Sequence, residues 1–124
     1  MGKVLRVYGT ETGLVVKTGE TLYRGALLML DANREVIAGT LAIGNLQYMG
    51  RARTTVESSA AGHTIEIDRG DFHWILAGAD SMDMGKPVYC VDDQTVTFTQ
   101  AATEIVLGYV VGFDSTGVYV QPVI

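Results

Sequence analysis

From end to end the chain alternates short apolar runs with small polar turns. Near the C-terminus, Val88–Val91 is an apolar run closed by Asp92 and Asp93, and Val96 and Phe98 alternate with Thr95, Thr97 and Thr99. A period of two sends successive side chains to opposite faces, as in a half-buried strand. Glu104–Phe113 predicts a longer strand, with Ile105, Leu107, Tyr109, Val111 and Phe113 on one face. Its other face, Val106, Gly108, Val110 and Gly112, is also free of charge, so the strand belongs inside a sheet or sandwich. Asp114-Ser115-Thr116-Gly117 predicts a turn in which Asp and Ser bond back to the chain and Gly117 supplies a positive φ. Gly117–Pro122 then returns as a last strand, which makes this region a meander.

The upstream chain reads in the same way. Lys3–Tyr8 has strand character but is cut off by Gly9–Gly13, five residues with two glycines and no apolar side chain. This composition predicts a linker, so residues 1–13 read as an N-terminal arm or an edge strand, and residues 14–124 as a single β-rich domain. Leu14–Lys17 is a short strand, and Ala26–Leu30 and Glu35–Ala38 form a hairpin about Asp31-Ala32-Asn33. Gly39–Asn45 has no sustained period and reads as loop, while Leu46–Glu57 is extended and bends at Gly50. His63–Ile67 places His63, Ile65 and Ile67 opposite Thr64, Glu66 and Asp68. After an expected turn at Arg69-Gly70-Asp71, Phe72, Trp74 and Leu76 share one face and His73 and Ile75 the other. Ala77–Met84 has no β-branched residue and predicts one helical turn.

Three segments recur in order. Gly25–Asp31 parallels Gly85–Asp92 with one residue more in the second, Met49–Ala52 parallels Leu107–Val110, and Gly62–Glu66 parallels Gly117–Gln121. The expected fold is therefore all-β: a small β-sandwich or barrel of short antiparallel strands with an internal pseudo-repeat, roughly eight to eleven strands in all.

Composition narrows the function. Net charge is −5, so electrostatics argue against nucleic acid as a partner, which needs a positive footprint. Arg51 and Arg53 form the densest basic spot, and they read as strand residues facing solvent on one side. No apolar run approaches the ~20 residues of a membrane-spanning helix, so no membrane partner is expected. The N-terminus lacks a signal-peptide core, and Arg6 stands where myristoylation wants Ser or Thr. The single cysteine permits no internal disulfide and fits synthesis in a reducing cytosol.

Candidate chemistry is sparse. Cys90 with His63 or His73 is the one candidate nucleophile pair, and Cys90 on an apolar strand reads as packing. Two histidines give no metal spacing, and Asp31 with Glu35, or Asp92 with Asp93, reads as turn chemistry, so neither catalytic residues nor a metal or other cofactor is expected. Arg69-Gly70-Asp71 spells an adhesion tripeptide but is ordinary turn composition. Trp74 is either a core residue or a contact residue, since Trp is enriched at interfaces.

Arg69–Trp74, Asp83–Val96 and Leu107–Val120, with Gly19–Asp31 upstream, resemble the small capsid cement, or head decoration, proteins of tailed bacteriophages. The most specific stretch is GKPVY-x-VDD-x-TV, from Gly85 to Val96, and the resemblance spans about residues 14–122. It implies a β-rich structural protein, not an enzyme, made in the host bacterial cytoplasm and carried on the virion capsid surface. The partner it implies is the major capsid protein, with a homo-oligomer, most often a trimer, as the binding unit. The alternatives are a phage tail component, or a small β-barrel ligand-binding module with Trp74 and tyrosines around its pocket. Lys3, Val4, Leu5, Arg6, Val7, Tyr8 and Trp74 are the expected capsid or subunit contacts.

Overall fold

The computed structural model describes residues 7–40, 47–59, 62–101 and 104–122. Twelve strands run through these residues: β1 Val7–Val15, β2 Thr21–Leu22, β3 Leu27–Leu30, β4 Val36–Ala38, β5 Gln47–Ala52, β6 Val56–Glu57, β7 Thr64–Gly70, β8 Phe72–Ile75, β9 Pro87–Cys90, β10 Val96–Thr97, β11 Gly108–Phe113 and β12 Gly117–Pro122. The count exceeds the sequence expectation because β2 is too short to show a period and Leu46–Glu57, expected as one extended segment, divides into β5 and β6. A single 3-10 turn, Ser81–Asp83, sits where one helical turn was expected. Asp80 caps it by accepting from Met82 N, and Asp83 reaches back to Asp80 N.

The strands form two five-stranded antiparallel sheets, ordered β1-β7-β5-β3-β4 and β8-β12-β11-β9-β10, and a separate β2–β6 pair. Exchanging β1 for β8, β7 for β12, β5 for β11, β3 for β9 and β4 for β10 turns one order into the other. Each sheet curls until its two edge strands meet at one parallel bridge, Val16 with Val36 in the first and Ile75 with Thr95 in the second.

The hydrogen bonds repeat as well. Gly25 N donates to Ala52 O at 2.8 Å, and Gly85 N donates to Val110 O at 2.8 Å. Ala52 N donates to Ala26 O at 2.9 Å, and Val110 N to Lys86 O at 3.0 Å. Gly25 and Gly85 have φ of 86° and 81°, a left-handed backbone that glycine adopts without a Cβ clash. Asp31 Oδ1 accepts from Asn33 N and Glu35 N, just as Asp92 Oδ1 accepts from Gln94 N and Thr95 N. The acidic pairs of the sequence are thus turn locks. The backbone N–H of Gln94, foremost, holds the Asp92 carboxyl below the usual carboxylate range.

Two cores follow from the curl. Val16, Leu22, Ala26, Leu28, Val36, Met49, Ala52, Ile65 and Ile67 fill the first sheet's own interior. Leu27, Met29, Ile37 and Tyr48 leave from that sheet's other face and join Phe72, Trp74, Val88, Cys90, Val96, Leu107, Val110, Val118 and Val120. β3 is apolar at every position because it has a core on each side. Burying each such side chain stabilises the fold by roughly 1.5–3 kcal/mol.

Three expectations are corrected. Gly9–Gly13 is not a linker: β1 runs through it, with Gly9 opposite Arg69 and Glu11 opposite Ile67, so the proposed boundary at residue 14 falls inside a strand. Register shifts between Val7 and Gly9 and between Glu11 and Leu14 accommodate the glycines. The long strand expected from Glu104 begins only at Gly108 and is not interior on both faces: Val110 is buried, while Tyr109 and Phe113 are exposed. A bulge lies between Val110 and Gly112. Arg69-Gly70-Asp71 is no hairpin turn but the crossing from β7 into the second sheet, with Asp71 buried. The Gly39–Asn45 loop and the Ser58–Gly62 turn lie partly outside the described residues.

Candidate functional site

Of the expected contact residues, Val7, Tyr8 and Trp74 are among the described residues. Lys3, Val4, Leu5 and Arg6 lie outside the described residues. Val7 and Tyr8 open β1, an edge strand of the first sheet. Trp74 is 2% exposed and packs edge-on against Tyr48, with ring centroids 6.4 Å apart. It is therefore a core residue of this chain, because a surface contact needs an accessible ring.

The candidate nucleophile pair does not form. Cys90 is fully buried, and its Sγ donates to Asp92 O at 3.3 Å. Burial pushes the thiol up to about 12, so it carries its proton at neutral pH. His63 Nδ1 lies 3.0 Å from Glu57 O. His73 Nε2 lies 3.0 Å from Asp114 Oδ1 and 3.3 Å from Thr116 Oγ1. Among the described residues, no three His, Cys, Asp or Glu side chains are grouped to hold a metal.

The His73–Asp114–Thr116 group resembles a catalytic relay only at first sight. Asp114 Oδ1 also accepts from Thr116 N, Thr116 Oγ1 and Gly117 N, so that one oxygen is saturated by its own turn. Gly117 does not have the positive φ expected of it. A Cβ there would run into Trp74 O and the His73 ring, so glycine serves close approach between β12 and β8. The Thr116 N–H first, and His73 next, hold the Asp114 carboxyl well below the usual carboxylate range. The folded pKa thus lies below the unfolded value of about 3.9, and the turn contributes stability above about pH 4 that is lost as pH falls through the folded value. Asp114→Asn is expected to flatten the acid limb of a plot of melting temperature against pH. An acid limb unchanged from the parent would show that Asp114 is not linked to folding.

Three arginines line one cleft. Arg24, Gly25, Arg51, Ala52, Arg53 and Asp68 line a cleft of about 450 Å³. Arg51 and Arg53 come from β5 and its end. The Gly25 N to Ala52 O bond brings Arg24 alongside, and Arg24 N donates to Thr55 Oγ1 at 3.0 Å. Three of the nine Lys and Arg residues of an acidic chain thus share one opening. Arg53 faces Glu66 at 3.5 Å and Asp68 at 4.0 Å. Arg51 lies over the Phe72 ring, 4.1 Å from its centroid. Neither Arg24 nor Arg51 has a carboxylate partner within 4.0 Å among the described residues. The sequence reading found Arg51 and Arg53 but missed Arg24. The repeat held the missing signal, since Gly25 and Gly85 match.

The same repeat maps these arginine positions onto the second half. Met84 stands where Arg24 stands, Tyr109 where Arg51 stands, and Val111, one step past Val110, where Arg53 stands. Tyr109 pairs with Gln121 as Arg51 pairs with Asp68. Met84 and Tyr109 are each 46% exposed. One scaffold position is cationic in the first half and apolar in the second.

No protein-family model matches the chain, and no curated protein and no solved structure matches it. Among the described residues, no helix is long and apolar enough to cross a membrane.

Proposed function

We propose that the protein is a structural component of a tailed-phage virion, a cement protein that binds the outer surface of the assembled capsid and stabilises it. The observation that carries this reading is the exposed apolar surface of the second half, where Ile75, Met82, Met84, Tyr109 and Phe113 stay outside the two cores. Exposed apolar surface of this kind marks a contact with another protein. The stretch that resembles the cement family supports it too. Its Gly85 takes the left-handed turn, its Pro87 opens β9 and its Asp92 locks the following turn, so the motif is a requirement of the scaffold. A cement protein stabilises a shell only by binding assembled capsid better than free subunits. The binding unit in this reading is a homo-oligomer, a trimer by the resemblance, and several simultaneous contacts would add avidity.

The test is co-sedimentation with assembled heads, with free capsid subunits and with tail tubes. Binding to heads alone is the expected result, weakened by Tyr109→Ser and Met84→Ser in protein that keeps its melting temperature. Binding to tail tubes alone would favour the tail component instead. A ligand-binding module built around Trp74 loses its footing, since that ring fills the core.

A further inference from the structure

We propose that the cleft of Arg24, Arg51 and Arg53 is a carboxylate-binding site that takes an acidic peptide segment of a protein partner. This does not rest on which assembly the protein joins. Arg24 and Arg51 have no carboxylate partner within 4.0 Å among the described residues, and Arg53 faces the exposed Glu66 at 3.5 Å and the half-buried Asp68 at 4.0 Å. Exposed pairs of that length exchange readily for a better-placed anion. A guanidinium presents a planar fork of donors that matches a carboxylate in a bidentate pair. Arg51 is pre-oriented by its stacking on Phe72, so less side-chain freedom is lost on binding.

Net charge does not oppose this. The chain carries −5, but charges beyond a Debye length of about 8 Å are screened at physiological salt, and the local arrangement decides. The acidic chain does argue against nucleic acid as the anion. Asp68 in the cleft wall disfavours a phosphate dianion more than it disfavours singly charged carboxylates. Size favours a segment over a lone ion. A cleft of about 450 Å³ has room for more than one carboxylate.

The experiment is fluorescence anisotropy of a labelled hexa-aspartate peptide with the full chain, at low and at physiological salt. Binding should weaken with salt. Arg24→Gln and Arg53→Gln should each raise the Kd about tenfold, as expected for one charge-assisted bond. Both residues are exposed, and thermal melts check that the variants fold. Asp68→Asn should tighten binding by removing a competing carboxylate. Arg34→Gln, in the exposed turn between β3 and β4, should leave the Kd unchanged. Citrate should displace the peptide at lower concentration than inorganic phosphate. Failure of the peptide to bind at low salt, an equal loss in Arg34→Gln, or phosphate displacing better than citrate would each overturn the proposal.

Discussion

Trp74→Ala is expected to destabilise the fold by about 3–5 kcal/mol, the range for removing a buried large aromatic ring. The ring sits between the halves of the molecule, among Leu27, Met29 and Tyr48 of the first sheet and Val88, Val96 and Val118 of the second. Its loss opens a cavity that residues from both sheets would have to fill. At about 3–5 °C per kcal/mol for a domain of this size, the melting temperature should fall by roughly 10–20 °C. Trp74→Phe keeps most of the apolar volume and should cost less. A thermal melt of each variant decides. An unchanged melt in Trp74→Ala, with partner binding lost, would return the ring to the surface role that its residue type first suggested.

Gly50→Ala and Gly108→Ala should be comparably severe, at about 3 kcal/mol or more each. A Cβ on Gly50 would run into Asp68 O, and one on Gly108 into Gln121 O. Both obstacles are backbone atoms of the paired strand, so no side-chain rotation relieves them. Gly50 also has φ of 122°, a second source of strain. Gly62→Ala is the comparison. Its φ is 89° but a Cβ there meets nothing within 4 Å, so only the left-handed cost of about 1–2 kcal/mol applies. Denaturant unfolding of the three variants should rank Gly62→Ala mildest. Equal losses in all three would show that φ alone governs, and that the close approach of strands at Gly50 and Gly108 does not matter.

Much of the fold was legible because its periods are local. Ile65 and Ile67 are buried and Thr64 and Glu66 exposed, as strict alternation requires. The repeat was legible because turn chemistry is specific: Gly before an apolar run, Asp after it. What the sequence hid depends on partners distant in the chain. Gly9–Gly13 looked like a linker because propensity sees side chains, whereas β7 pairs with its backbone. β11 was read as interior on both faces because Tyr109, Val111 and Phe113 are apolar, but an apolar side chain does not by itself mean that its face is covered. The arginine cleft was hidden because Arg24 meets Arg51 only through a hydrogen bond between Gly25 and Ala52.

The matching strand orders bear on how the two equivalent surfaces can change. In a dimer of identical five-stranded units, every substitution appears twice, and a residue suited to one surface is imposed on the other. Joining the units through Gly70 and Asp71 in one chain removes that constraint. Arg24 and Met84, or Arg51 and Tyr109, are then free to diverge while Gly25 and Gly85, or Gly50 and Gly108, are each held by the backbone they serve. Mutational tolerance should accordingly be alike at the paired glycines and independent at the paired surface residues, so that either surface can be retuned for a new partner without disturbing its counterpart.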